Sequence, residues 1–279
     1  MSRSKRAELA QQTVEIVEQG WYKSANGRRV TIADQVAASL RATQLVKPDH
    51  FAPWLDHNWE GAKNTQFSVS NETTLASART LADQSPGEAT LCLNFASAKN
   101  PGGGFLGGSQ AQEESLARSS ALVTTLESQW DYYQINRDCH TAFYTDHMIL
   151  SPSVPVFRDE DGTLLDKPYL MNFVTAPAVN AGAVIKNEST RQSDIEPAMA
   201  NRINKLLSMA AHFGFDTLIL GAWGCGVFLN DPAMIARLFA EALTSTGRFV
   251  GCFAKVHFAV LDKTEQEQIV SPFRKWLTF

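Results

Sequence analysis

The chain has 279 residues, a formal net charge of −4, 44% hydrophobic and 19% charged residues. That length holds one large domain or a domain with an accessory segment, and the balance is that of an ordinary soluble globular protein. No stretch approaches the ~18 apolar residues of a membrane span, and the mild acidity argues against a direct nucleic-acid binder, which would carry a basic stripe.

The N-terminus (MSRSKRAELAQQTVEIVEQGW) is basic and then amphipathic. It lacks the apolar core and small-residue cleavage site of a secretory signal. Residues 5–19 read as a helix, with Leu9, Val14, Ile16 and Val17 near one face and Gly20 as the stop. VTIADQVAASL begins as a short strand and turns into a helix. Lys47–Asn64 has two prolines, a glycine and no period, and reads as a connection. It divides the chain into an accessory segment, 1–65, and a main domain, 66–279.

From Gln66 the pattern changes. QFSVSN alternates as a strand, ETTLASARTLADQ reads as a helix capped by Asn71, and ATLCLNFAS is a short buried strand. A glycine stretch follows, then a helix from about Gln110 to Glu127. MILSPSVPVFR, YLMNFVTAP, DTLILGAW and KVHFAVLD read as later strands. AMANRINKLLSMAAHFG, DPAMIARLFAEALTST and EQEQIVSPFRKWL read as later helices. Strands alternating with helices predict an α/β fold with a mixed or largely parallel sheet. FRDEDGTLL carries Asp159, Glu160 and Asp161, and reads as a solvated hairpin tip rather than a calcium loop.

Cys92, Cys139, Cys225 and Cys252 are far apart, with no C-x-x-C pair. This disfavours a zinc site and fits a reduced, cytoplasmic setting. The six histidines show no ligand spacing, so no metal is expected.

The glycine stretch is NPGGGFLGGSQAQEE, Asn100 to Glu114. Gly102, Gly104 and Gly107 match G-x-G-x-x-G, but four residues separate the strand from the first glycine. The acidic residue at about the right distance, Glu127, sits at a helix tail. A dinucleotide turn needs its first glycine directly at the strand end and its acidic residue at the end of a second strand, so the match is accidental. Consecutive glycines fit a place where the main chain approaches a bulky ligand. Ser109 and Gln112 have the spacing of a capping box opening the next helix, which puts Glu113 and Glu114 in its first turn. Neighbours on a helix project about 100° apart, so the two carboxylates have different tasks. Farther on, GAWGCGVFLNDP (Gly221–Pro232) is a glycine-rich turn leading to an Asp231-Pro232 helix start. A strand, such a turn and a helix start make an anion cradle without lysine.

The run GGG, a short spacer and QEE, within LNFASAKNPGGGFLGGSQAQEESLARSS, resembles the signature of bacterial-type poly(ADP-ribose) glycohydrolases. The likeness continues at GAWGCGVFLNDP and spans roughly Gln66 to Lys263, and residues 1–65 also resemble the family's accessory region. The resemblance implies a macrodomain-like mixed sheet sandwiched between helices, with a mainly helical N-terminal segment and an ADP-ribose cleft at the strand ends. It implies Glu114 as general acid/base and Glu113 as a hydrogen-bond partner of the ribose beside the scissile bond. Asn100, or Ser97 in its place, would hold the distal ribose. Gly102, Gly103, Gly104 and Gln112 would lie along the ligand. Gly224, Cys225, Gly226 and Val227 would wrap the diphosphate, and Phe228 would pack on the distal ribose. Trp223 reads as a packing residue.

The implied ligands are poly(ADP-ribose) or ADP-ribose, with ADP-ribosylated proteins as substrates and no cofactor. A general acid must carry its proton near neutral pH, whereas a helix N-terminus favours the carboxylate. Closure under the ligand and the neighbouring Glu113 are expected to offset this. The two other readings are an ADP-ribose-binding module without catalysis, and a hydrolase of mono-ADP-ribosyl linkages. The glutamate pair favours hydrolysis, because a reader needs only the glycine loops.

Overall fold

The computed structural model describes residues 1–59, 61–84 and 89–278. The chain opens with helix α1 (Arg3–Gln19), which ends at Gly20 in a left-handed conformation, φ 74°. A two-stranded ribbon follows, β1 (Trp21–Lys23) and β2 (Arg29–Thr31), then α2 (Ala33–Ala42) and β3 (Gln44–Val46). The segment expected to be a bare connection holds a short helix, α3 (Phe51–Asp56). The helix forms because Phe51, Trp54 and Leu55 share a face at helical spacing, and Phe51 is wholly buried.

The rest alternates: β4 (Gln66–Ser70), α4 (Thr74–Gln84), β5 (Thr90–Phe95), α5 (Gln112–Ser119), α6 (Leu122–Glu127), α7 (Trp130–Asp138), β6 (Met148–Arg158), β7 (Leu164–Ala176), α8 (Ala181–Asn187), α9 (Ile195–His212), β8 (Thr217–Leu220), α10 (Pro232–Leu243), β9 (Lys255–Ala259) and α11 (Val270–Leu277). The expected capping of α4 by Asn71 is replaced. Thr73 Oγ1 accepts from Ala76 N, while the Asn71 side chain bonds both backbone groups of Asp262. The single helix expected from Gln110 to Glu127 is two. Ser120 is extended and bridges Val156 on β6, and Ala121 N donates to Pro155 O, so the chain pairs with the sheet between α5 and α6.

The main sheet has seven strands in the order β3-β6-β7-β5-β8-β9-β4. β7, β5, β8, β9 and β4 run parallel to one another, while β6 is antiparallel to both β7 and β3. The strands read as near-continuous apolar runs because helices cover both faces. Along β5, Leu91 and Leu93 enter a core with α3, α8, α9, α10 and α11, while Cys92 enters a second core with α1, α2, α4, α5, α6 and α7. Five parallel strands therefore deliver their C-terminal ends to one edge, with β7, β5 and β8 adjacent at its centre. Loops at such an edge are where open α/β sheets bind ligands. Among the described residues no helix is long and apolar enough to cross a membrane.

Candidate active site

The loop after β5 and the start of α5 bring the two glutamates to this edge. α5 begins at Gln112, with Ala111 as an N-cap that makes no side-chain bond, so the expected Ser109–Gln112 capping box does not form. The Gln112 side chain is engaged elsewhere. Its Oε1 accepts from Phe95 N at 2.8 Å, and its Nε2 donates to Leu93 O at 2.7 Å and to Thr74 Oγ1 at 3.2 Å. Beyond Cys92, where pairing with β8 ends while β7 still pairs through Phe95, this clasp holds the tip of β5 and fixes where α5 starts. Glu113 and Glu114 still fall in the first turn.

Their surroundings differ. Glu113 is 3% exposed. Its Oε2 accepts from Ser97 N at 2.6 Å and its Oε1 from Asn94 Nδ2 at 3.4 Å. Burial, with the neighbouring Glu114 charge adding to it, pushes its carboxyl up to about 8 against the lowering effect of the Ser97 amide. Glu114 is half-buried, and its Oε1 accepts from Gly104 N at 3.0 Å. Gly103 lies between the pair at φ 59°. A Cβ there would sit 2.5 Å from Glu114 Oε1 and 3.2 Å from Glu113 Oε2. A glycine is required on two counts, the left-handed backbone and the carboxylates facing it.

The other loop residues divide. Gly102 is buried against Val123, Phe105 and Ala117, and Gly104 faces Ser109. Asn100 is exposed, and its Oδ1 accepts from Arg137 Nη2 at 3.3 Å. Arg137 also donates to Lys99 O and stacks over Trp130. Ser97, the competing candidate, accepts at Oγ from Lys99 N and Asn100 N. It thus shapes the loop with its hydroxyl and holds Glu113 with its amide.

The second loop leaves β8 at Leu220 and enters α10 at Pro232, with Asp231 accepting from Ala233 N as N-cap. Trp223 is fully buried and donates from Nε1 to Ala176 O, which fits its reading as a packing residue. Gly224 has φ 75°, and a Cβ would meet Ala178 and Asn230 at 2.5 Å. Asn230 closes the turn, donating from Nδ2 to Val179 O and Gly224 O. Cys225 is half-buried, while Gly226 and Val227 are exposed, with open space where a Gly226 side chain would be. Phe228 is half-buried, 5.9 Å from the Tyr144 ring, and its carbonyl accepts from Gly182 N at the start of α8. A Cβ at Gly221 would lie 2.9 Å from Phe95 Cζ, so the two loops leave the sheet edge side by side.

The model of the microbial-type PARG catalytic domain matches residues 10–159, a span that contains β5, the glycine loop and both glutamates. The chain belongs to the microbial-type poly(ADP-ribose) glycohydrolase family. Solved structures of the family agree over nearly the whole chain. Poly(ADP-ribose) glycohydrolase from Thermomonospora curvata is 43% identical, with a TM-score of 0.94 over 98% of this chain and 100% of that one. The same protein bound to the inhibitor ADP-HPD is 44% identical, with a TM-score of 0.91 over 98% and 99%. The enzyme from Deinococcus radiodurans in complex with ADP-ribose is 45% identical, with a TM-score of 0.83 over 87% and 97%. No curated protein matches the chain.

Sequence reasoning missed Asn94, Arg137, Tyr144 and Asn230. Asn94 carries a signal, a polar residue inside the apolar run LCLNF. The others act across loops and carry none. Among the described residues no group of three or more His, Cys, Asp or Glu could hold a metal ion.

Proposed function

We propose that the chain hydrolyses the ribose–ribose O-glycosidic bonds of poly(ADP-ribose), releasing ADP-ribose, with ADP-ribosylated proteins as the carriers of its substrate. One observation carries the reading. Two adjacent carboxyl groups, one buried and one half-buried, converge on a stretch of backbone that has no side chain to block a ligand. The family members solved with ADP-ribose or ADP-HPD support the ligand class.

Glu114 is the general acid/base. It protonates the departing ribose hydroxyl as the glycosidic bond breaks through an oxocarbenium-like state, then takes a proton from the attacking water. Glu113, held by the Ser97 amide and Asn94, orients the ribose at the reacting carbon. Asn100 and the glycine backbone from Gly102 to Gly104 line the ribose and the near phosphate. Gln112 acts by fixing the start of α5. Gly224, Cys225, Gly226 and Val227 wrap the diphosphate with backbone amides at the start of α10, and Phe228 sets the distal ribose. No step calls for a metal or cofactor. Residues 1–65 serve as the accessory segment to a catalytic domain of residues 66–279.

The test is release of free ADP-ribose from poly(ADP-ribose), wild type against Glu114→Gln, with ADP-ribose binding measured on both. The variant is expected to bind ADP-ribose and lose about 10²–10⁴-fold in turnover, the contribution of a positioned general acid. A wild type that binds ADP-ribose but leaves the polymer intact would establish a reader instead.

A further inference from the structure

On the far side of α5 from β5 lies a cavity of about 230 Å³, bounded by α1, α5 and the β6–β7 turn. Three arginines and a lysine line it: Arg6, Arg118, Arg158 and Lys263. Arg118 is 5% exposed and Arg158 2%. Neither forms an ion pair among the described residues. Arg118 donates to Ser109 O and Gln110 Oε1, and Arg158 to Arg118 O, Gly162 O and Thr13 Oγ1. Arg6 likewise donates to carbonyls, of Gly108 and Met1.

The wall also carries Asp159 and Glu160, which offset part of this positive charge while holding the turn. Asp159 accepts from Thr163 N, and Glu160 accepts from Thr73 Oγ1. Burial depresses the Arg118 guanidinium, and the like charge of Arg6 depresses it further. Glu114 acts on Arg118 and Asp159 on Arg158 only through space, without an ion pair to either, and an anion placed between the buried guanidinium groups would relieve both desolvation and repulsion. The cavity is smaller than the ~300 Å³ at which pockets for drug-sized ligands begin. It suits a phosphoryl group rather than a nucleoside.

We propose that this cavity is a phosphoryl-anion subsite, and that during hydrolysis it takes a phosphate of the polymer unit on the leaving side of the scissile bond. The second half of the proposal rests on the function proposed above. The leaving oxygen must lie on the Glu114 side, since Glu114 protonates it. Ser115, next along α5, and Gln110, at the end of the glycine loop, both line the cavity. The Glu114 charge is near enough to act on Arg118. A diphosphate seated there would face the arginines, and bidentate guanidinium contact is the natural recognition of phosphate.

Calorimetric titration of inorganic pyrophosphate into ADP-ribose-saturated protein tests the cavity apart from the cleft. Lys263 is exposed and forms no bond among the described residues, so Lys263→Glu reverses a charge at the rim without disturbing the core. Wild type is expected to bind one pyrophosphate, Lys263→Glu to bind it about tenfold more weakly, and the variant's KM for polymer to rise by a similar factor. Absence of pyrophosphate binding, or equal binding by the variant, would overturn the subsite. Weakened pyrophosphate binding with an unchanged polymer KM would overturn the polymer assignment and leave a site for free phosphate. If ADP-ribose itself does not bind, the functional reading falls, while the titration still decides the cavity.

Discussion

Glu113 and Glu114 are sequence neighbours in different physical states, and the difference predicts a pH dependence. The Glu113 carboxyl is raised to about 8 in the folded protein and returns to its ordinary value of 4.5 when unfolded. A raised carboxyl binds its proton more tightly in the folded state, so its contribution to stability is full below about pH 4.5 and is lost as pH rises to about 8. Glu113→Gln removes that loss. The variant is expected to gain stability relative to wild type by several kcal/mol between pH 5 and pH 8. Denaturant unfolding at the two pH values measures it, and parallel curves for both proteins would refute the assignment. At Gly103 a methyl group would meet Glu114 Oε1 at 2.5 Å and would be forced to φ 59°. Gly103→Ala is expected to cost about 1–3 kcal/mol of stability and to abolish turnover, read by thermal melting and ADP-ribose release. The glycines and the glutamate pair were legible because they are rare residue types at a fixed separation. The Asn94 contact, with its Oδ1 buried and unpartnered, was not, since it depends on which face of β5 meets α5.

Among the elements, α5 and α7 decide the geometry of the glycine loop. α7 reaches the loop through Arg137, which bonds Lys99 O and Asn100 Oδ1 while lying over Trp130. Arg137→Ala is expected to weaken ADP-ribose binding by about tenfold while shifting the melting temperature little, because the contact is exposed. An equal loss of stability and binding would mean that α7 supports the fold rather than the loop. Most long helices and strands were readable from periodicity, including the hairpin at Asp159–Asp161. The break between α5 and α6 was not, because Ser120 leaves the helix to pair with β6, a partner more than 30 residues away in sequence. The capping box failed for a related reason. Gln112 finds better partners on β5 than on its own helix, and tertiary hydrogen bonds override a local motif.

For the whole molecule, net acidity predicts a mild response to salt. Polymer affinity should fall with a log–log slope of about −1 to −2, as for one or two phosphates neutralised, and a much steeper slope would reveal a long cationic track. The α/β class was legible in the alternation of patterns. The strand order was not, since it depends on pairings between distant segments. That order has a further effect. β5 carries the glycine loop and both glutamates from the first half of the chain, yet its neighbours on either side are β7, beginning at Leu164, and β8, ending at Leu220. A nascent polypeptide can hold both glutamates and still have no strand on either flank to seat them. Only when residue 220 has left the ribosome can the centre of the sheet close, so the catalytic edge is a late product of synthesis.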